Sequence, residues 1–225
     1  MIKNFLLFCF LFSSTLLADG LGKEYYEIRD TSKKKKVFFN FIHKMSLKEN
    51  QKILDDREYI KKTYPKKTQR MLLIQQRYKL KSNASLKKYL YHVDIVPNSM
   101  VMAQAALETA WGKSRFFKQA KNIFGQWTWK GKGLVPKHRK AGLTHKIKLF
   151  DTYEDSVSAY LININRGWAY KKVRDLRAKL RSQNKRISGY VLAAGLDKYS
   201  GKKEQYVTII KKMISHNKLY NYDIY

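Results

Sequence analysis

The sequence predicts a mainly α fold of the α+β kind, with a small β-hairpin region and a basic helical arm at its N-terminus. Three observations carry this. Apolar residues recur at helical spacing along most of the chain. Alternation at period two is confined to one short stretch, 144–150. Lysine crowds the first third, whereas all four tryptophans lie between Trp111 and Trp168. No period of 20–50 residues repeats, which excludes a solenoid. With 225 residues, 44% of them hydrophobic, the chain can bury one sizeable core carrying an appendage, or two small ones.

The elements follow in order. Residues 1–18 read as a secretory signal peptide: Lys3, a mostly apolar run from Phe5 to Leu17, then Ala18. Leu16 fits the −3 position of a cleavage site poorly, so the cut falls within a few residues of Ala18. The alternative is a buried N-terminal helix. Cys9, the single cysteine, lies inside this run, leaving the mature chain without disulfide or cysteine metal site. An oxidising periplasm or the outside of a bacterium suits such a chain.

Residues 19–91 form the basic arm. Between 31 and 90 there are 18 Lys/Arg against 4 Asp/Glu. Val37, Phe38, Phe41, Ile42 and Met45 predict a helix, and Ser46 with Glu49 reads as a capping box opening another that runs to about Thr63. Pro65 breaks it. Met71, Leu72, Gln75 and Leu80 predict a third. Either the lysines are a solvated face over an apolar stripe, or they form a surface dedicated to the wall or membrane.

Residues 92–225 carry the rest: a helix over 98–111, an irregular or β segment over 122–150, then helices near 152–164, 168–182, 186–195 and 202–217. His145, Ile147 and Leu149 share one face of a strand, with Lys146 and Lys148 on the other. Thr152 and Asp155 suit a capping box. The run Arg181 to Arg186 reads as a solvated basic turn.

Charge narrows the partners. The 47 Lys+Arg against 17 Asp+Glu give a net +30. Such a field draws polyanions, whether nucleic acid, an anionic envelope surface or an acidic wall polymer. Export argues against nucleic acid. H-E-x-x-H, phosphate-binding glycine loops and G-x-S-x-G are all missing from the sequence, which weighs against the chemistries they serve. Neither cofactor nor metal is expected, and the chain is expected to be a monomer.

One segment points to chemistry. From Val96 to Gly112 nearly every interior position is apolar, so the helix is buried nearly all round. Its one carboxylate, Glu108, sits in the last turn and shares a face with Val101, Gln104, Ala105 and Gly112. An apolar setting disfavours the charged form and raises the pKa, as a general acid requires. The residues alone leave a core Glu paired with a basic side chain equally open. Downstream, Asn122-Ile123-Phe124-Gly125-Gln126-Trp127-Thr128-Trp129 offers a tight turn at Gly125 and aromatics that stack on sugar faces. Equally, Phe124 and Trp127 could be core, with Trp129 alone exposed. Tyr199 and Tyr206, beside a helix start, read first as packing residues.

These residues resemble a known family. The run through Ala105-Ala106-Leu107-Glu108-Thr109-Ala110-Trp111-Gly112 is similar to the catalytic helix of the bacterial glucosaminidases of glycoside hydrolase family 73. Asn122-Ile123-Phe124-Gly125 resembles that family's N-x-F-G turn. Phe124-Gly125-Gln126-Trp127, Gly133-Leu134-Val135-Pro136, Phe150-Asp151-Thr152 and Asn163-Ile164-Asn165 resemble its Bax-like branch. The resemblance covers about residues 92–217. It implies a lysozyme-like fold and cleavage of peptidoglycan at the β-1,4 bond on the reducing side of N-acetylglucosamine. It implies Glu108 as general acid, with Tyr206 and then Tyr199 as further catalytic-site residues. Gln104, Asn122, Phe124, Gly125, Gln126, Trp127 and Trp129 are the expected substrate-binding residues.

The chain departs from the family in one respect. Many members carry a second carboxylate 30 to 40 residues after the first, but Thr109 to Phe150 contains no Asp or Glu. Asp151, Glu154 and Asp155 are the nearest. A single acid fits participation by the substrate's own N-acetyl group, and equally a lytic transglycosylase. A non-catalytic wall-binding protein on the same fold is the rival of another class.

Overall fold

The computed structural model describes residues 20–136, 142–199, 201 and 203–225; the expected signal peptide and Cys9 lie outside them. The described residues form ten α-helices and three short strands. The helices are α1 (Lys23–Glu27), α2 (Thr31–Thr63), α3 (Gln69–Tyr78), α4 (Leu86–His92), α5 (Asn98–Thr109), α6 (Arg115–Ala120), α7 (Tyr153–Arg166), α8 (Lys171–Ser182), α9 (Gly189–Leu192) and α10 (Lys203–His216). The strands are β1 (Trp127–Thr128), β2 (Gly133–Leu134) and β3 (Lys146–Lys148). No helix among the described residues is long and apolar enough to cross a membrane.

The two helices expected over 31–63 are one. Neither Gly nor Pro interrupts this stretch, and Asp30 caps its start by accepting from the Lys33 backbone N–H. Ser46 is no cap: it is buried mid-helix, and its Oγ donates to His43 O at 3.1 Å. Phe38, Phe41, Ile42, Met45, Ile53 and Ile60 make one buried stripe at helical spacing. Lys33, Lys36, Lys44, Lys48, Lys52, Lys61 and Lys62 stay on the exposed side. The stripe packs α2 on α5 and α7. Arm and remainder therefore share one continuous core, in which Phe38 and Phe39 meet Trp111 edge-on at 5.6 and 5.0 Å between ring centroids.

Helix α5 lies in the middle of this core, with residues 98–106 all buried. A buried helix end has no water to satisfy its free backbone groups, so protein groups must do it. Pro97 begins α5 and has no N–H to place. No side chain caps this end from within the helix start. Instead the C-terminal residues reach back. Tyr225 OH accepts from Asn98 N at 2.6 Å, and Asp223 accepts from both Ser99 N (2.8 Å) and Ser99 Oγ (2.7 Å). Asn50 of α2 donates to Val96 O and accepts from Val96 N, at 2.8 and 3.0 Å. Fully buried Arg177 of α8 donates to Asp94 O, Ile95 O and Asn165 Oδ1. Asp94, itself buried, takes charge from Arg57, Arg177 and Arg181. The expected solvated turn at Arg181–Arg186 is thus partly an anchor, since Arg186 also donates to Asp223 O and Tyr220 O.

At its far end α5 leaves the helix through left-handed residues Ala110, Trp111 and Gly112. Gly112 is required there twice over: its φ is +74°, and a Cβ would come within 2.8 Å of Leu21. Tyr25 and Tyr26 of α1 donate to Trp111 O and Gly112 O at 2.8 and 3.1 Å. The β region is a three-stranded antiparallel sheet in the order β1-β3-β2, so β1 and β2 flank β3 and do not pair as a hairpin. The Thr152/Asp155 capping box is present at the start of α7.

Two predictions follow from this packing. Asp94→Ala strands three guanidinium groups around one buried position and should cost about 3–5 kcal/mol, the cost of breaking a buried ion pair; an unchanged urea midpoint would overturn the clamp. Deleting residues 19–64 should expose the partners of Phe38, Phe41 and Met45 and yield insoluble or loosely packed protein. A soluble truncated chain with native near-ultraviolet circular dichroism would show that the arm is dispensable.

Candidate active site

Glu108 ends the apolar face of α5, half-buried. Burial raises its carboxyl pKa, and a hydrogen bond from Tyr206 partly opposes the rise. Tyr206 OH donates to Glu108 Oε1 at 2.8 Å. Gln104, one helical turn before Glu108 and fully buried, donates from Nε2 to Tyr206 OH at 2.9 Å. Tyr160 OH in turn donates to Gln104 Oε1.

The direction of this chain follows from its end. Glu108 Oε1 accepts whether or not Oε2 carries a proton, so the Tyr206 proton points to Glu108. Tyr206 oxygen is then free to accept from the amide of Gln104, whose carbonyl accepts from Tyr160. Burial pushes the phenols of Tyr160, Tyr199 and Tyr206 upward, so all three keep their protons at neutral pH.

Aromatic rings enclose this chain. Phe124 stacks on Tyr160 at 3.9 Å between ring centroids, and Tyr199 stacks on Tyr206 at 5.2 Å. Tyr199 OH donates to Phe124 O at 3.2 Å, tying the 122–127 turn to the residues before α10. Tyr170 lies 6.1 Å from Tyr199 and has its own pKa raised by burial, with the charge of Glu108 contributing.

The turn itself is stapled by Asn122. Its amide donates to Gln126 O and Lys148 O, both at 2.9 Å, and its Oδ1 accepts from Gln126 N at 3.0 Å. Asn122 and Phe124 are buried, so both support the site from behind. Gly125 has φ +63° and open space where a Cβ would stand. Trp127 and Trp129 are 53% and 67% exposed, Trp127 backed by the His145 ring at 4.3 Å. Gln126 Oε1 is buried with no partner among the described residues.

Gln104, Tyr199, Tyr206 and Phe124 therefore gather around Glu108, while Trp127 and Trp129 stand on the sheet beyond the turn. Tyr160 and Tyr170 belong to the same cluster, although pattern reasoning does not single them out. Tyr160 falls on the apolar stripe of α7 with Tyr153, Val157 and Ile164, and periodicity cannot tell a packing ring from one whose hydroxyl meets a buried amide. Of the acids next along the chain, two are engaged elsewhere. Glu154 pairs with Lys48 and Lys52, Asp155 completes the capping box, and Asp151 is exposed. Among the described residues, no group of three or more His, Cys, Asp or Glu stands close enough to hold a metal ion.

The raised carboxyl has two consequences. If Glu108 must be protonated to act, activity falls as pH rises through a pKa above the ordinary glutamate value, and Tyr206→Phe, which removes a donor to the charged form, moves that alkaline limb further up. Between the ordinary and the raised pKa the folded chain holds a proton that the unfolded chain has lost, so this group's contribution to stability declines as pH rises. Glu108→Gln should therefore raise the melting temperature at neutral pH. A limb that moves down in Tyr206→Phe, or a lower melting temperature in Glu108→Gln, would contradict this reading.

The chain is similar to known proteins. The model of the glucosaminidase family, described as mannosyl-glycoprotein endo-beta-N-acetylglucosaminidase, matches residues 83–219. Protein bax of Escherichia coli (strain K12) is 30% identical over 195 residues, 82% of this chain and 70% of the relative. The catalytic domain of the autolysin Auto from Listeria monocytogenes aligns with 90% of this chain and 98% of its own, at 15% identity and a TM-score of 0.49. Since the family model spans more than half of the chain, and does so across the helix, turn and tyrosines just described, the chain belongs to the glucosaminidase family.

Proposed function

We propose that this protein is an exported peptidoglycan hydrolase that cuts the β-1,4 bond on the reducing side of N-acetylglucosamine, with Glu108 as its general acid. One observation carries the reading: a half-buried carboxyl held by a directed hydrogen-bond chain, beside a turn that leads to exposed tryptophans. With Oε1 accepting from Tyr206, the acid proton sits on Oε2 and passes to the leaving glycosidic oxygen. As that bond breaks, the carbonyl oxygen of the substrate's own N-acetyl group attacks the anomeric carbon and forms a bicyclic oxazolinium intermediate. The ionised Glu108 then takes a proton from water as the water opens that ring. This route needs one protein carboxyl, in keeping with Glu154 and Asp155 serving other contacts. The chain would act alone, without cofactor, on glycan strands in the periplasm or outside the cell. The lysines on the outer face of α2 would hold it to anionic envelope polymers.

The same single acid also serves a lytic transglycosylase, in which the sugar's own hydroxyl replaces water. Mass analysis of soluble products from purified peptidoglycan separates the two: hydrated reducing ends support the proposal, and anhydro ends on muramic acid support the rival.

Glu108→Gln is expected to fold and to lose about 100- to 10,000-fold in activity, the worth of general acid catalysis. Asp151→Asn, Glu154→Gln and Asp155→Asn should each lose far less. A folded Glu108→Gln retaining half its activity, or an equal loss at Asp151, would refute the single-acid mechanism.

A further inference from the structure

Trp168 has 80% of its surface facing solvent. It opens a 3-10 turn, Trp168–Tyr170, whose third residue turns inward. Gly167 makes this arrangement possible. A Cβ there would come within 2.8 Å of Asn163 O and 3.0 Å of the Tyr170 ring, so a larger residue would push the turn off α7. Tyr170 then lies beside Tyr199, and Tyr199 stacks on Tyr206, the donor to Glu108. Trp168 thus stands on the rim of the acid's aromatic enclosure, reached through a different segment from the one that carries Trp127 and Trp129.

It is not alone there. Lys198, next to Tyr199 and exposed, places its ammonium 5.5 Å from the centroid of the Trp168 ring. Lys172 holds the neighbouring Asp197 at 3.5 Å, which draws that carboxylate toward another cation. The result is an indole in water with an ammonium beside it. An indole face binds the apolar face of a pyranose, and the Lys198 ammonium over this ring favours a carboxylate on the same unit. With 80% of its surface exposed, this indole is open to a sugar ring.

We infer that Trp168 and Lys198 form an additional sugar subsite that prefers an acid-bearing amino sugar, such as the lactyl-substituted unit of peptidoglycan with its attached peptide carboxylates, over a neutral one. This rests on the proposed action on peptidoglycan and adds to it a residue pair that reads charge. The pair would set which units of the strand are held on this side of Glu108, whereas Trp127 and Trp129 would hold the strand on the sheet side.

The test uses the full chain carrying Glu108→Gln, so that binding is read without turnover. Its two ligands are a neutral N-acetylglucosamine oligomer and a soluble peptidoglycan strand of similar length, titrated at low and at moderate salt. Trp168→Ala should weaken both by up to about tenfold, the worth of one aromatic contact. Lys198→Glu should weaken only the acid-bearing strand, by a few-fold at low salt and less at moderate salt, as for an exposed charge pair. If Trp168→Ala leaves both affinities unchanged, there is no subsite at this rim. If Lys198→Glu weakens both ligands alike, or neither, charge is not read here. The functional proposal fails separately, when the chain with Glu108 intact releases no fragments from purified peptidoglycan.

Discussion

The structure depends on placing α5 where no water reaches it. A helix buried on every side gains a continuous apolar contact surface, but its ends carry N–H and C=O groups that cost about 1–3 kcal/mol each if left unmet. Distant segments meet them at the start of the helix and hold the residues that flank it at both ends. Asp223 and Tyr225 come from the C-terminus, Asn50 from α2, Arg177 from α8, and Tyr25 and Tyr26 from α1. Each of these bonds is local in space and remote in sequence, so α1 and the residues around Asp223 are drawn to opposite ends of one helix. That explains why the lysine-rich N-terminal segment belongs to the core: it supplies both the apolar stripe that covers α5 and polar groups that finish it.

The same burial gives Glu108 its chemistry. In an apolar setting a carboxyl resists ionisation, and a single hydroxyl donor partly relieves that resistance. The balance between burial and Tyr206 sets how readily the proton leaves. Gln104 and Tyr160 fix the direction in which the donor points, since reversing any link would leave a buried hydroxyl hydrogen without an acceptor. An acid held this way works at a cost to the fold, as is common where a site requires a charge in an unfavourable place.

Charge and packing are separated on α2. Its apolar residues recur at helical spacing on one side, while its lysines occupy the other and leave a strongly basic outer surface. A field of that sign favours anionic polymers, and the exposed tryptophans at 127, 129 and 168 offer flat faces to sugars. The two features are independent. On the proposed function, the first would concentrate the protein near a polyanion and the second would distinguish a glycan from other polyanions.

How much was legible in the sequence depends on the range of the interaction concerned. Local periodicity located α3, α5, α7 and α10, and the Thr152/Asp155 cap was readable because both partners lie within one turn. The all-apolar run around Glu108 marked a buried acid for the same reason. The Ser46/Glu49 pattern misled, since a capping box needs a chain that enters from outside the helix, and nothing before Ser46 stops α2. Tertiary structure alone decided the rest. It paired β3 with both β1 and β2, made Asp223 the cap of a helix more than a hundred residues away, and left Trp127 exposed while burying Phe124. It also brought Tyr160, Gln104 and Tyr206 into one line ending on Glu108. Hydrogen bonds between residues this far apart in sequence leave no periodic trace, because they depend on how the helices cross and not on the spacing within any one of them.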